Sequence, residues 1–343
     1  MSQRKNLKGL SRKELEAFFA DLGESPYRAR QVMVWMYHRW VSDFSLMTDL
    51  SKELRGKLEE IAIIRDLREK GRKTAPDGTV KFLYETARGD AVETVLMHER
   101  ERTTLCLSSQ VGCALNCAFC ATGKMGFTRH LTAGEMVDQV IQAQKAFPGH
   151  KITHAVAMGM GEPFLNYEAV IKAVRLLNAE LGLGLGARRI TLSTVGIIPG
   201  IRRLAEEPLQ VKLAVSLNAP TQALREKLMP IARKYPLDKL LGAVGHYTER
   251  TGKMMTFEYV LLAGVNDTLI HAKQLADLVT GLLCKINLIP FNPFPGSEYA
   301  RPQKERVERF QAFLYPRCRA VTLRMSKGRE ILAGCGQLRA ERG

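Results

Sequence analysis

No stretch of this 343-residue chain approaches the roughly 18 consecutive apolar residues of a membrane span. Residues 1–30 are polar and charged, without an apolar core of secretory-signal length. Both absences point to a cytoplasmic protein with no membrane partner, whose cysteines are held reduced. Acidic residues are also short, 35 against 51 lysines and arginines, for a formal net charge of +16. An excess of that size predicts a polyanionic partner, most simply nucleic acid, bound more weakly as salt rises.

Cysteine is sparse, with seven in all, but three crowd into Cys113-Ala-Leu-Asn-Cys117-Ala-Phe-Cys120. Core packing alone rarely places three thiols in eight residues. A four-iron four-sulfur cluster normally takes four thiolates. A C-x3-C-x2-C set supplies three and leaves one iron open to a ligand from outside the polypeptide. A structural zinc knuckle, with Cys106 or His130 as fourth ligand, is the alternative. Zinc sites usually pair two short-spaced arms, and no second arm follows here.

Residues 11–70 read as a small helical domain. Ser11 through Glu14 is a capping box, Gly23 ends the first helix, and Ser25-Pro26 starts a second carrying Trp35, Tyr37, Arg39 and Trp40. Ser51 opens a third helix, and Gly71–Gly78 is a linker by composition. Strands Thr79–Glu85 and Ala91–His98 flank the turn Arg88-Gly89-Asp90 as a hairpin. On the second strand Glu93 shares a face with Val95 and Met97. A carboxylate on an apolar face is costly unless partnered, which makes Glu93 a candidate acid–base residue. The predicted units are a helical accessory domain over 1–75, a hairpin extension over 76–102, a barrel over 103–325 and a tail over 326–343.

From residue 103 onward β-rich runs alternate with helical segments. The runs are Thr103–Ser108, Ile152–Met158, Arg189–Val195, Gln210–Leu217, Met254–Ala263 and Lys285–Pro290. The alternation predicts an α/β fold, a parallel sheet with crossover helices, and six units make a partial (β/α)6 barrel. Active residues in such barrels sit at the C-terminal ends of strands. Polar or glycine-rich caps occur there repeatedly: Cys113–Cys120, Met158-Gly-Met-Gly161-Glu162-Pro, Ser193-Thr-Val-Gly, Ser216-Leu217-Asn218 and Phe291-Asn292. On successive strands they favour a bound ligand. Cys335, set between Gly334 and Gly336, reads as a reactive rather than a packed thiol, whereas Cys284 and Cys318 open apolar runs. The last 43 residues hold 11 lysines and arginines against 4 acids, which predicts a tail lying near nucleic acid.

Cys106 through Cys120, Met158–Asn166, Leu192–Gly196, Ile289–Gly296 and Cys335-Gly-Gln-Leu338 closely resemble the RlmN/Cfr family of radical S-adenosylmethionine (SAM) RNA methyltransferases, over about residues 11–338. The resemblance implies a partial radical SAM barrel behind an N-terminal RNA-binding domain. It implies one 4Fe-4S cluster on Cys113, Cys117 and Cys120, and SAM, two per turnover, contacted by Gly161, Glu162, Ser193, Ser216, Leu217, Asn218 and Asn292. Cys335 would carry the methyl group as S-methylcysteine, Cys106 would resolve it through a transient disulfide, and Glu93 would be the acid–base residue. The implied substrates are 23S rRNA and tRNA, methylated at adenine C2, with an electron donor such as flavodoxin or ferredoxin and a monomeric enzyme. Gly161–Asn166 and Ile289–Gly296 look like the C2-directed branch rather than the C8-directed Cfr branch. Asn218 stands where the family commonly has histidine, so its side-chain role is open. Two other readings remain: a radical SAM enzyme acting on a small molecule, and a non-catalytic zinc RNA-binding protein.

Overall fold

The computed structural model describes residues 4–340. Three helices, Arg12–Asp21, Tyr27–Tyr37 and Lys52–Ile61, make the N-terminal domain. The capping box is present: the Glu14 amide donates to Ser11 Oγ at 3.3 Å, and the Ser11 amide donates to the Glu14 carboxylate at 2.7 Å. Ser51 caps the third helix. The second helix is shorter than its sequence suggests. It stops at Tyr37, and Arg39 and Trp40 lie beyond it, where Trp40 takes a left-handed φ of 54° and turns the chain. Trp35 is buried and its indole N–H donates to Asp49 at 2.6 Å.

One ten-stranded sheet follows, and its spatial order is its chain order. Its strands are β1 Arg68–Thr74, β2 Val80–Glu85, β3 Ala91–Glu99, β4 Arg102–Cys106, β5 His154–Ala157, β6 Ile190–Thr194, β7 Lys212–Ser216, β8 Met255–Leu261, β9 Cys284–Pro290 and β10 Val321–Leu323. Strands β1 to β4 pair antiparallel and β4 to β10 pair parallel. The expected hairpin is β2–β3. The stretch expected as a linker is instead the end of β1 plus the turn Ala75–Gly78. Its lysines and arginines, which read as linker, are what an exposed edge strand carries to discourage further pairing. The six expected parallel strands are joined by a short seventh, β10.

Helices Ala133–Ala146, Tyr167–Asn178, Leu237–Thr251, Leu269–Leu278 and Lys304–Leu314 lie between successive parallel strands, as the alternation predicts. Helices Ile198–Glu206 and Gln222–Leu228 are short segments that the pattern did not reveal. No described helix is long and apolar enough to cross a membrane.

The N-terminal domain docks on helix Ala133–Ala146 through two glycines. A Cβ on Gly9 would lie 2.4 Å from the Gly134 nitrogen, and one on Gly134 would lie 2.5 Å from the Lys8 carbonyl oxygen. Backbone meets backbone there, so no flexible side chain is present to give way. Gly134→Ala is therefore expected to cost roughly 1–3 kcal/mol by overpacking, read as a lowered midpoint of thermal unfolding.

Candidate active site

The cysteine loop is closed at its neck by a small antiparallel pair, Gln110–Gly112 against Phe127–His130. The Cys113 amide donates to the Gly126 carbonyl at 2.8 Å. Gly112 has φ of +73°, and a Cβ there would stand 2.0 Å from the Gly126 oxygen, so only glycine closes this neck. Inside the loop the Cys120 amide donates to the Cys117 carbonyl at 3.1 Å, and Cys120 precedes the four-residue helix Ala121–Lys124. Cys113, Cys117 and Cys120 thereby line one cleft, with about 920 Å³ of empty space counting its open mouth. Burial pushes all three thiols up, Cys113 to about 12, and neighbouring thiolate charge adds to the rise.

Gly161, Glu162, Ser193, Ser216, Asn218 and Cys335 line the same cleft, each at or just past a strand end or in the tail. Gly161 has φ of +98°. That turn aims Glu162 inward, where its carboxylate is 2% exposed and accepts the amides of Phe164 at 3.0 Å and Val195 at 2.8 Å. No lysine or arginine pairs with it among the described residues, and burial raises it to about 7. Asn218 sits in the left-handed region at φ 59°. Its Oδ1 accepts the Val260 amide at 2.9 Å, so the side chain is engaged in joining strand ends.

Two expected contacts lie outside the cleft lining. Leu217 is fully buried in the core. Asn292 donates to Ser326 Oγ at 2.8 Å and to the Cys335 carbonyl at 3.1 Å, so in this arrangement it anchors the tail. Cys106 is buried at the end of β4. Burial pushes it up to about 12, and Cys335 is near enough to raise it further. Glu93 is buried, as its face requires, and paired: Lys81 Nζ stands 2.8 Å from Oε1, and the Arg339 amide donates to Oε2 at 2.7 Å. It lines a neighbouring cavity with Gln337 and Arg339, while Cys335 and Gly336 face the cysteine cleft. The tail divides the two spaces.

Three charged residues escaped sequence reasoning. Arg225 is fully buried beside Cys117, whose charge is the one group favouring its proton, while burial lowers it to about 10. Its Nη2 donates to the Val195 carbonyl at 2.5 Å, but Nε has no partner. Glu258, buried on β8, accepts Asn287 Nδ2 at 2.7 Å and is raised by burial. Arg324 is held up by the charge of Cys335, with Glu258 and Cys106 adding to it. A carboxylate inside Phe257-Glu258-Tyr259-Val260 is the same signal that singled out Glu93. Arg225 and Arg324 stand in basic stretches and carry none.

These residues fit a bound anion and a bound cation side by side. The orphaned Arg225 Nε suits thiolates carrying an iron–sulfur cluster, and the unpaired Glu162 carboxylate suits a cationic ligand. Ser193 and Ser216 hydroxyls face the cleft with no protein partner among the described residues. No three His, Cys, Asp or Glu side chains among the described residues converge tightly enough to hold a single metal ion.

Residues 5–64 match the family model of the ribosomal RNA large subunit methyltransferase N-terminal domain, and residues 107–276 match the radical SAM superfamily. The chain is 47% identical over 344 residues to the dual-specificity RNA methyltransferase RlmN of Marinobacter nauticus, covering 98% of this chain and 93% of that protein. It is 47% identical over 330 residues to the probable dual-specificity RNA methyltransferase RlmN of Geobacillus kaustophilus, covering 96% and 90%. The crystal structure of a radical SAM methyltransferase from Sphaerobacter thermophilus is similar at a TM-score of 0.93 and 49% identity, covering 98% of this chain and 100% of that one.

Proposed function

The chain belongs to the RlmN family of radical SAM RNA methyltransferases, and on that premise we propose that it methylates adenine C2 in 23S rRNA and tRNA, carrying the methyl group on Cys335. The observation that carries the reading is a cleft lined by three cysteines, the unpaired Glu162 carboxylate and a tail thiol, with the buried Arg225 close to Cys117 behind it. The superfamily implies a 4Fe-4S cluster and SAM. Cys113, Cys117 and Cys120 would hold the cluster, leaving one iron to SAM. Glu162 would meet the ammonium of its methionine part, and Ser193 and Ser216 its polar groups. When bound, the pair supplies an electrophilic methyl group and a carbon radical able to abstract hydrogen, at a cost of two SAM per turnover.

The chain's own residues supply the rest. Adenine C2 is electrophilic and sp2, so it does not take a methyl cation; the Cys335 thiolate does. Once that carbon has joined C2, Glu93 would accept the C2 proton. Cys106 would attack the Cys335 sulfur, and the C–S bond would break. The freed carbon would take a proton to complete the methyl group, and the odd electron would return to the iron–sulfur centre. This leaves a Cys106–Cys335 disulfide for a reductant to open. Arg324 stands near both sulfurs and would hold the thiolate charges. Glu93 is available only after the Arg339 amide leaves its carboxylate, so RNA entry must shift the tail. The helical domain would grip RNA, consistent with the charge of +16. An electron donor of the flavodoxin or ferredoxin class would serve a monomeric enzyme.

Protein loaded with iron and sulfide without air, then given dithionite, SAM and RNA, is expected to be brown and to release 5′-deoxyadenosine and 2-methyladenosine, both read by mass spectrometry. Iron-loaded protein that releases neither would overturn the assignment.

A further inference from the structure

Side chains on each parallel strand alternate across the sheet. The faces turned to the helices are apolar and buried, as in Leu213 and Val215, Phe257 and Tyr259, Ile286 and Leu288. The faces turned inward are polar: Lys212 and Ser216, Thr256 and Glu258, Lys285 and Asn287. Parallel barrels are usually filled by branched aliphatic side chains. This interior is instead a polar lumen. A second cavity, about 1220 Å³ counting its mouth, runs from the strand starts up to Gly334 and Cys335. Met158, Glu258 and Cys335 belong to both this cavity and the cysteine cleft. Cys335 is therefore open to the barrel from two sides.

The mouth of the lumen is cationic. Arg102, Lys212 and Lys285 stand at or next to the first residues of β4, β7 and β9. None of them lies within ion-pair distance of a carboxylate among the described residues; Arg102 Nε donates only to Thr104 Oγ1, at 3.0 Å. Burial lowers the Lys212 pKa, and the charges of Lys285 and Arg102 lower it further. The three outnumber the acids beside them, Glu99 opposite Arg102 across the strands and Glu258 within reach of the Lys285 charge, so an incoming anion relieves them. With Lys327 and Arg324 the lining holds five cations against Glu99 and Glu258, so the cavity as a whole keeps a positive excess.

We propose that this lumen admits a small anionic thiol, of the carboxylate-bearing amino-acid or peptide class, that reduces the Cys106–Cys335 disulfide after each methyl transfer. The inference rests on the reading of Cys106 as the resolving thiol. The thiolate attacks Cys335 Sγ, which lines the lumen. The protein S–S bond breaks, and Cys106 leaves as a thiolate near Arg324 before taking a proton from water. A second thiolate attacks the small-molecule sulfur of the mixed disulfide, releasing the low-molecular-weight disulfide and the Cys335 thiolate, which is protonated in turn. Two thiols give up two electrons and two protons, and the protein disulfide gains both. The cofactor side of the barrel need not empty for this to happen.

The test uses the full chain, oxidised and shown by peptide mass mapping to hold the Cys106–Cys335 disulfide. It is reduced with mercaptosuccinate, 2-mercaptoethanol or cysteamine, each rate divided by that thiol's rate on a small model disulfide. At low salt the corrected rate for mercaptosuccinate is expected to exceed that for cysteamine by at least about tenfold, the lower end of electrostatic steering. In Lys212→Gln/Lys285→Gln that advantage is expected to collapse, with 2-mercaptoethanol unchanged. Equal corrected rates in the unmodified chain, or an advantage that survives in the double variant, overturn the proposal. If mapping finds no such disulfide, the resolving-thiol reading fails instead. The port is then tested alone, by alkylating reduced Cys335 with iodoacetate against iodoacetamide. An iodoacetate preference that the double variant loses supports it, and no charge preference overturns it.

Discussion

Cys335→Ala is expected to leave no detectable RNA methylation while the protein still folds, binds iron and releases 5′-deoxyadenosine. The expectation of a clean chemical loss comes from how the tail is held. Its backbone is fixed by partners that alanine preserves: Gly336 accepts the Ala121 amide at 2.7 Å, Cys335 accepts from Asn292, and Leu338 accepts Thr122 Oγ1 at 2.6 Å. The neighbouring glycines are the positions with no room to change. A Cβ on Gly334 would press on Gln337 Oε1 at 2.7 Å and Asn292 Nδ2 at 2.9 Å. Only the thiol is lost at Cys335, and no other cysteine lines both the cysteine cleft and the lumen. Cys106→Ala should behave differently. Carbon transfer to RNA proceeds, release does not, and an RNA–protein adduct accumulates on a denaturing gel. Methyladenosine recovered from the Cys335→Ala enzyme would sink the assignment of that thiol.

That contrast between two cysteines shows what a one-dimensional reading reaches. Spacing alone isolates Cys113, Cys117 and Cys120, because core packing rarely sets three thiols within eight residues. Glycine neighbours mark Cys335, because a thiol with so little beside it has few packing partners. The proximity of Cys106 to Cys335 spans more than two hundred residues, and no local pattern encodes it. The strands β5 to β9 were legible as apolar runs because their outer faces lie under helices. Strand β1 was not, since every second position is solvated and its Lys and Arg content matches a loop. Glu162 was legible as a polar group at a strand end, but its two amide partners were not; they come from Phe164 and from Val195, just past the end of β6. Arg225 is the clearest failure. Nothing in Gln222–Leu228 separates a fully buried guanidinium from the charges around it, and only the fold brings it beside Cys117.

The same limit applies to Lys8, one more lysine in a basic N-terminus by sequence, and Lys8→Met is expected to remove about 3–5 kcal/mol of folding stability, the usual cost of breaking a buried ion pair from one side. Lys8 is buried and its Nζ stands 2.6 Å from Asp138 Oδ1, with Asp66 as a second partner. Asp138 is fully buried on helix Ala133–Ala146 and also accepts the Leu67 amide at 2.5 Å. One carboxylate thus ties both ends of the N-terminal domain to the barrel. Methionine keeps the apolar stem and removes the charge, leaving two carboxylates facing each other. Burial already raises the Asp138 pKa against the pull of Lys8, and Asp66 pushes it the same way. Without Lys8 that rise grows. A carboxyl with a raised folded pKa favours folding when protonated, and this contribution fades as pH climbs through that pKa. The loss in Lys8→Met should therefore be smaller at pH 5 than at pH 8, measured by urea unfolding. Adding Asp138→Leu should restore part of the stability by removing the stranded charge, but not all, because the Leu67 amide then lacks its acceptor, at about 1–3 kcal/mol. A double variant no better than the single one would mean the pair is not what fastens the two domains.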